Sequence, residues 1–173
     1  LPYFGADSME SGTGKLIKVS TAGNQNVSGP VYRFTGKRLL YSKIRPYLNK
    51  LAIVDIDGYC SSDMYPLDIN DSAADIDFIA YYMNSNNFLE KISCFYERSS
   101  IPKINRNQLF QARIPLPPLD VQRRIVAEIE EEQKLVDANR ELVERFETKI
   151  QRTIDRVWGE GSHDDFSEVV RDS

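Results

Sequence analysis

The chain has 173 residues, 41% hydrophobic and 28% charged, with a formal net charge of −4, which is ordinary composition for one folded domain with an appendage. No stretch of about eighteen apolar residues occurs, which excludes a hydrophobic spanning helix, and no basic start leads into an apolar core as a signal peptide would. Two cysteines, Cys60 and Cys94, are too few for a disulfide framework or a zinc knuckle and set a reduced, cytoplasmic compartment as the expectation.

Residues 1–120 are punctuated by Gly, Asn and Ser. The turn Ser11-Gly12-Thr13-Gly14 leads into a predicted strand over 15–20, and a Gly- and Asn-rich loop follows over 21–30. β-Branched and aromatic residues bounded by Gly, Pro and Asp predict short strands over 31–34, 38–42, 50–55 and 64–67. Helical spacing places Ile76, Ile79, Ala80 and Met83 on one face over 75–84, and Phe88, Leu89 and Ile92 on another over 87–94. Residues 105–111 are predicted as one more helical turn. Residues 113–116 are predicted as a strand, ended by Pro117 and Pro118.

From Asp120 to Trp158 there is no Gly and no Pro. Apolar residues recur at Ile125, Ile129, Val136, Val143, Phe146, Ile150 and Ile154, spaced by threes, fours and sevens, which predicts one stripe on one long helix. Pro118 cannot lie inside that helix, Asp120 suits its first turn, and Gly159 is a stop signal. Thirty-nine residues at 1.5 Å each extend roughly 58 Å, far more than a head of this size needs, so the stripe calls for a partner helix. Glu132 and Asn139 fall near the seam. The expected fold class is α/β in the α+β sense. A mixed, short-stranded head with short helices spans 1–119, a long coiled-coil-forming helix spans 120–158, and an acidic tail spans 159–173.

Enzyme motifs are absent. Ser11-Gly12-Thr13-Gly14-Lys15 lacks the first Gly and the final Ser or Thr of a phosphate loop, having Met9 and Leu16 there. The single histidine, His163, lies in the tail and builds neither a triad nor a His-rich metal site. The loop acids Asp55, Asp57, Asp68, Asp71, Asp75 and Asp77 have no spaced ligand pattern. Charge is more informative. Residues 1–119 carry 13 Lys and Arg against 11 Asp and Glu, and residues 120–173 carry 9 against 15. Between Ser11 and Val54 there are eight cations and no carboxylate, a field suited to phosphate. Lys37, Arg38, Lys43, Arg45 and Tyr47 interleave cations with aromatics. A second cluster holds Ser99, Ser100, Lys103, Asn105 and Arg106. Arg pairs with guanine and Asn with adenine in the major groove, although Asn and Ser there also suit a helix cap.

Three segments resemble a known family in the right order: PYFGADSMESGTGKLI (2–17), then LLYSKIRPYLNKLAIV (39–54) with GYCSSDMYPL (58–67), then IPKINRNQLFQARIPLPPLDVQRRIVAEIE (101–130). The order is similar to that of specificity subunits of type I restriction–modification systems. The segment LVERFETKIQRTIDRVWGE (142–160) is similar to tails of methyltransferases with a fused specificity region, which would account for a start at Leu1. The resemblance implies a non-catalytic target recognition domain that reads one half of a split double-stranded DNA site. It also implies a spacer helix paired antiparallel with a second specificity domain, as in a homodimer. Adenine-N6 methylation from S-adenosylmethionine, and ATP- and Mg-dependent restriction, would belong to partner subunits or domains, and no cofactor or metal to this chain. Family subunits carry two recognition domains and two spacers, whereas one of each is present here. Residues shared between members with different targets should be scaffold or phosphate contacts, because base readers must vary. The rival reading is a protein–protein adaptor that dimerises through its helix and offers a basic head to an acidic partner.

Overall fold

A computed structural model describes residues 1–21, 29–96 and 101–158. The chain divides into two compact units, Leu1–Ala127 and Glu128–Ser173.

The first unit is layered around one sheet. β4 (Lys37–Ser42) is its centre, flanked antiparallel by β5 (Leu51–Asp55) and β7 (Met64–Leu67). Leu39 stands opposite Ile53 and Leu67, and Tyr41 opposite Leu51 and Tyr65. Successive strand residues face opposite sides, and both sides of this sheet are buried. Leu39, Tyr41 and Leu51 join one core with Ile76, Phe78 and Ile79 of α1 (Ile76–Met83) and Phe88 and Ile92 of α2 (Asn86–Ser93). Leu40, Ala52, Val54 and Met64 join a second core with Phe4, Met9, Phe34 and Cys60. This double burial explains why β5 reads as a nearly continuous apolar run, and why Leu39, Leu40 and Tyr41 follow one another in β4, with no alternation.

The second core is closed by another sheet. β1 (Pro2–Phe4), β2 (Ser20–Thr21), β3 (Val31–Phe34) and β6 (Gly58–Ser61) lie in the order β2-β1-β6-β3, with β1 and β6 parallel. Gly58 opens β6 because a Cβ there would meet Phe34 Cζ at 3.0 Å, Pro2 O at 3.1 Å and Phe4 Cε2 at 3.2 Å. What reads in the sequence as turn punctuation is a close backbone approach.

Side-chain caps set the helix starts. Asp75 Oδ1 accepts from the backbone N–H groups of Asp77 (3.0 Å) and Phe78 (3.1 Å) at α1. Ser85 Oγ accepts from Phe88 N at α2. Asn105 and Gln108 exchange 2.9 Å bonds in a reciprocal capping box at α3 (Arg106–Gln111). The long helix α4 (Leu119–Trp158) starts right after the double proline, where Pro118 O accepts from Val121 N and Gln122 N.

Strands expected over 31–34, 38–42, 50–55 and 64–67 and helices over 75–84, 87–94 and 105–111 are present within a residue or two. Two expectations fail. Residues 15–19 form no strand; Leu16 makes one bridge to Met9, Ile17 N–H donates to Ser8 O, and among the described residues no layer covers Leu16, Ile17 and Val19, which stay exposed. Residues 113–116 form no strand either: Pro115, Pro117 and Pro118 supply no ladder donors, and Ile114 packs on the larger core. β1 and β6 were not foreseen. Most of the loop expected over 21–30, and the tail over 159–173, fall outside the described residues.

Helix α4 is regular throughout its described length, 40 residues in all or about 60 Å; residues 119–127 belong to the first unit and 128–158 to the second. Local side-chain bonds support it, including Gln133 to Asp137 at 3.1 Å and Gln151 to Asp155 at 2.8 Å.

Candidate nucleic-acid interface

The two cationic clusters of the sequence are joined by backbone hydrogen bonds. Ile44 and Lys103 form an antiparallel bridge, with Ile104 N–H donating to Lys43 O (2.9 Å) and Arg45 N–H donating to Pro102 O (2.8 Å). Arg45, Tyr47, Lys103, Asn105 and Arg106 all lie near this junction in exposed positions. The adjoining Ser99 and Ser100 lie outside the described residues.

Arg45 is held in a left-handed conformation (φ 48, ψ 59) as the N-cap of the 3-10 turn Pro46–Leu48. Such a φ is unfavourable for a side-chain-bearing residue, and a following proline disfavours it further. The bond to Pro102 O, and another from Leu48 N–H to Arg45 O (2.9 Å), hold it there. The result is a buried Pro46 beside an Arg45 and a Tyr47 that face solvent. Asn49 ends the turn, also left-handed, and donates from Nδ2 to Met83 O at 2.9 Å. That bond fastens the loop to the C-terminal end of α1.

Lys43 is placed differently. Its side chain is 14% exposed; Nζ donates to Ser62 O and lies 5.5 Å from the centre of the Tyr65 ring. Lys43 therefore braces the junction from within. Burial raises the Tyr65 phenol above its ordinary value, Tyr32 adds to the rise and Arg106 opposes it. Its neutral O–H donates to Ile104 O at 3.3 Å. Arg106 sits 5.3 Å from the centre of the Phe110 ring, which is itself exposed. That stacking presents the guanidinium as a flat cation. Asp63, in the turn between β6 and β7, lies 3.7 Å from Lys103 Nζ and 4.0 Å from Lys43 Nζ.

Lys37 and Arg38 stand at the opposite end of β4. Each is matched with a carboxylate from later in the chain, Lys37 with Asp77 at 3.5 Å and Arg38 with Asp68 at 3.3 Å. Arg38 also lines a shallow cleft of about 550 Å³ with Arg33, Phe34, Thr35 and Pro66. Lys50 turns inward and donates to Ala6 O at 2.9 Å. The unbroken run of cations in the sequence is thus divided among separate surfaces.

Burial pushes the Cys60 thiol up to about 11, with Lys43 opposing. It is a core thiol, fully buried. Among the described residues, no three His, Cys, Asp or Glu side chains cluster as metal ligands, and no helix is long and apolar enough to cross a membrane.

Of the residues placed on the helix stripe, Ile125 packs with Val126 on the larger core of the first unit. Ile129 is half-buried, and Val136, Val143, Phe146, Ile150 and Ile154 are exposed. The sequence reading did not single out Gln122. Its side chain is fully buried, accepting from Asp75 N–H (2.9 Å) and donating to Pro117 O (2.7 Å) and Ala73 O (3.3 Å). It locks the first turn of α4 to the cap of α1. Periodicity could not single it out among the polar residues of that helix.

The same fold recurs in solved structures. The HsdS subunit of Thermoanaerobacter tengcongensis superposes with a TM-score of 0.73 at 25% identity, over 90% of this chain and 41% of that one. A structure solved for complex assembly and conformational transition of the type I R-M system gives 0.76 at 24% identity, over 94% and 43%. The chain belongs to the type I restriction modification DNA specificity domain family, whose model matches residues 2–145. It is 38% identical over 123 residues to the type I restriction enzyme EcoDI specificity subunit of Escherichia coli, covering 71% of this chain and 27% of that protein. The chain thus spans well under half the length of the relatives it matches.

Proposed function

We propose that this chain reads one half of a split double-stranded DNA target for a type I restriction–modification system and performs no chemistry itself. Family membership supports the reading. The observation that carries it is the Ile44–Lys103 bridge, which gathers Arg45, Tyr47, Lys103, Asn105 and Arg106 around one junction. Arg45, Lys103 and Arg106 are the phosphate-positioning cations, and Ser99 and Ser100 are base readers. Asn105 is committed to its helix cap, so it orients the junction and reads no base.

In this reading residues 1–119 recognise DNA and residues 120–158 are the spacer. Val136, Val143, Phe146, Ile150 and Ile154 form the seam of an antiparallel pair, with a second specificity domain or a second copy of this chain. A methyltransferase subunit or fused domain holds S-adenosylmethionine and transfers methyl to adenine N6; ATP and Mg serve the restriction partner. The adaptor reading has no observation that favours it. Selection by the intact protein from a randomised duplex library tests the proposal. Recovery of one short motif supports it, and recovery of unenriched sequence overturns it.

A further inference from the structure

The geometry points to Asp63 as an internal competitor for DNA phosphate, a residue that sets how tightly the recognition surface holds DNA without regard to sequence. The inference rests on the DNA-reading proposal above and concerns the regulation of that same surface. Among the described residues, the ion pairs of this junction all run to Asp63, 3.7 Å from Lys103 Nζ and 4.0 Å from Lys43 Nζ.

Its position is fixed by the backbone. Asp63 O accepts from Lys43 N–H at 2.9 Å, and Asp63 N–H donates to Ser61 Oγ at 3.2 Å. The carboxylate is therefore held beside the Ile44–Lys103 bridge whether or not the lysines need it. Lys43 does not need it, being already satisfied by Ser62 O and the Tyr65 ring. Lys103 is 52% exposed and Asp63 40% exposed, and a pair that open to water adds little to folding. Its consequence falls on the field instead. A phosphate that approaches Lys103 meets a charge already partly cancelled.

Sequence-independent affinity comes almost wholly from cations that displace counterions. A carboxylate that shares one of those cations lowers such binding directly, while contacts to base edges are untouched. Asp63 also lies in the segment 58–67, one of those that resemble the family pattern.

The test is a salt titration of duplex binding by the intact protein, using non-target DNA, for wild type, Asp63→Asn and Asp68→Asn. Asp68 is a matched control. It makes the same charge change at the other end of β7, about 17 Å along the strand, and pairs with Arg38. Asp63→Asn is expected to bind non-target DNA several-fold more tightly, with a log affinity–log salt slope steeper by about one. Asp68→Asn should leave both as in wild type. Thermal melting checks that each variant folds, and Asp63→Ser serves if the amide does not. Equal shifts in the two variants, no shift in either, or weaker binding by Asp63→Asn would each overturn the inference. Wild type showing no salt dependence at all would instead bring down the underlying DNA-reading proposal.

Discussion

The two units of this chain treat apolar surface in opposite ways. In Leu1–Ala127, Tyr41, Phe88 and Ile92 are sealed between helices and sheet, at no more than 1% exposure. In α4 beyond Glu128, Leu135, Val143, Phe146 and Ile150 lie 54–61% open, with periodicity as good as any in the head. The difference teaches where each region finds its stability. The head draws it from its own two cores. The helix has the length and local bonding to persist, but its stripe is an unfilled contact.

Identical substitutions should separate the two regions sharply. Phe88→Ala removes a ring packed edge-on against Tyr41 and Tyr82. It should destabilise the head by about 3–5 kcal/mol in urea unfolding, whereas Phe146→Ala should move the same transition by less than about 0.5 kcal/mol. Comparable losses would erase the distinction. Phe146→Asp should leave the head folded and weaken helix pairing by about a hundredfold, or roughly 2.7 kcal/mol, read by sedimentation over a concentration series. Unchanged association would remove the stripe as a seam.

The core of the head was legible because β4, β5, α1 and α2 announce themselves through local pattern. Leu39 and Tyr41, or Ile76 and Ile79, are spaced as their elements require. β1 and β6 were not legible, because their reason is non-local: Gly58 is set by the rings of Phe34 and Phe4, far away in sequence. The candidate surface divides the same way. That Arg45 and Lys103 are cations is plain from the sequence, but that Ile44 and Lys103 pair is not. Nor does the cation run from Ser11 to Val54 show that Asp63, Asp68 and Asp77 return to meet its Lys43, Arg38 and Lys37.

Gln122 sharpens the comparison at the start of α4, where the helix still belongs to the head. Gln122→Leu leaves Asp75 N–H and Pro117 O without the partners they have now. It should cost about 2 kcal/mol in head stability, whereas Gln151→Leu, at an exposed position on α4, should cost almost nothing. Equal effects would contradict the anchoring role. A small gain is expected at Arg45. Arg45→Gly relieves the left-handed backbone and should raise stability by about 0.5–1 kcal/mol while weakening DNA binding. A variant that is both less stable and equally competent would remove Arg45 from the surface.

The most direct test is the salt dependence of duplex binding by the intact protein, compared with the Lys103→Glu/Arg106→Glu double variant at equal helix content. The surface joined at Ile44 and Lys103 should make wild-type affinity fall steeply with salt, and the double variant should lose about tenfold or more and flatten the slope by about two. Equal affinities and equal slopes would mean that DNA does not meet the protein there.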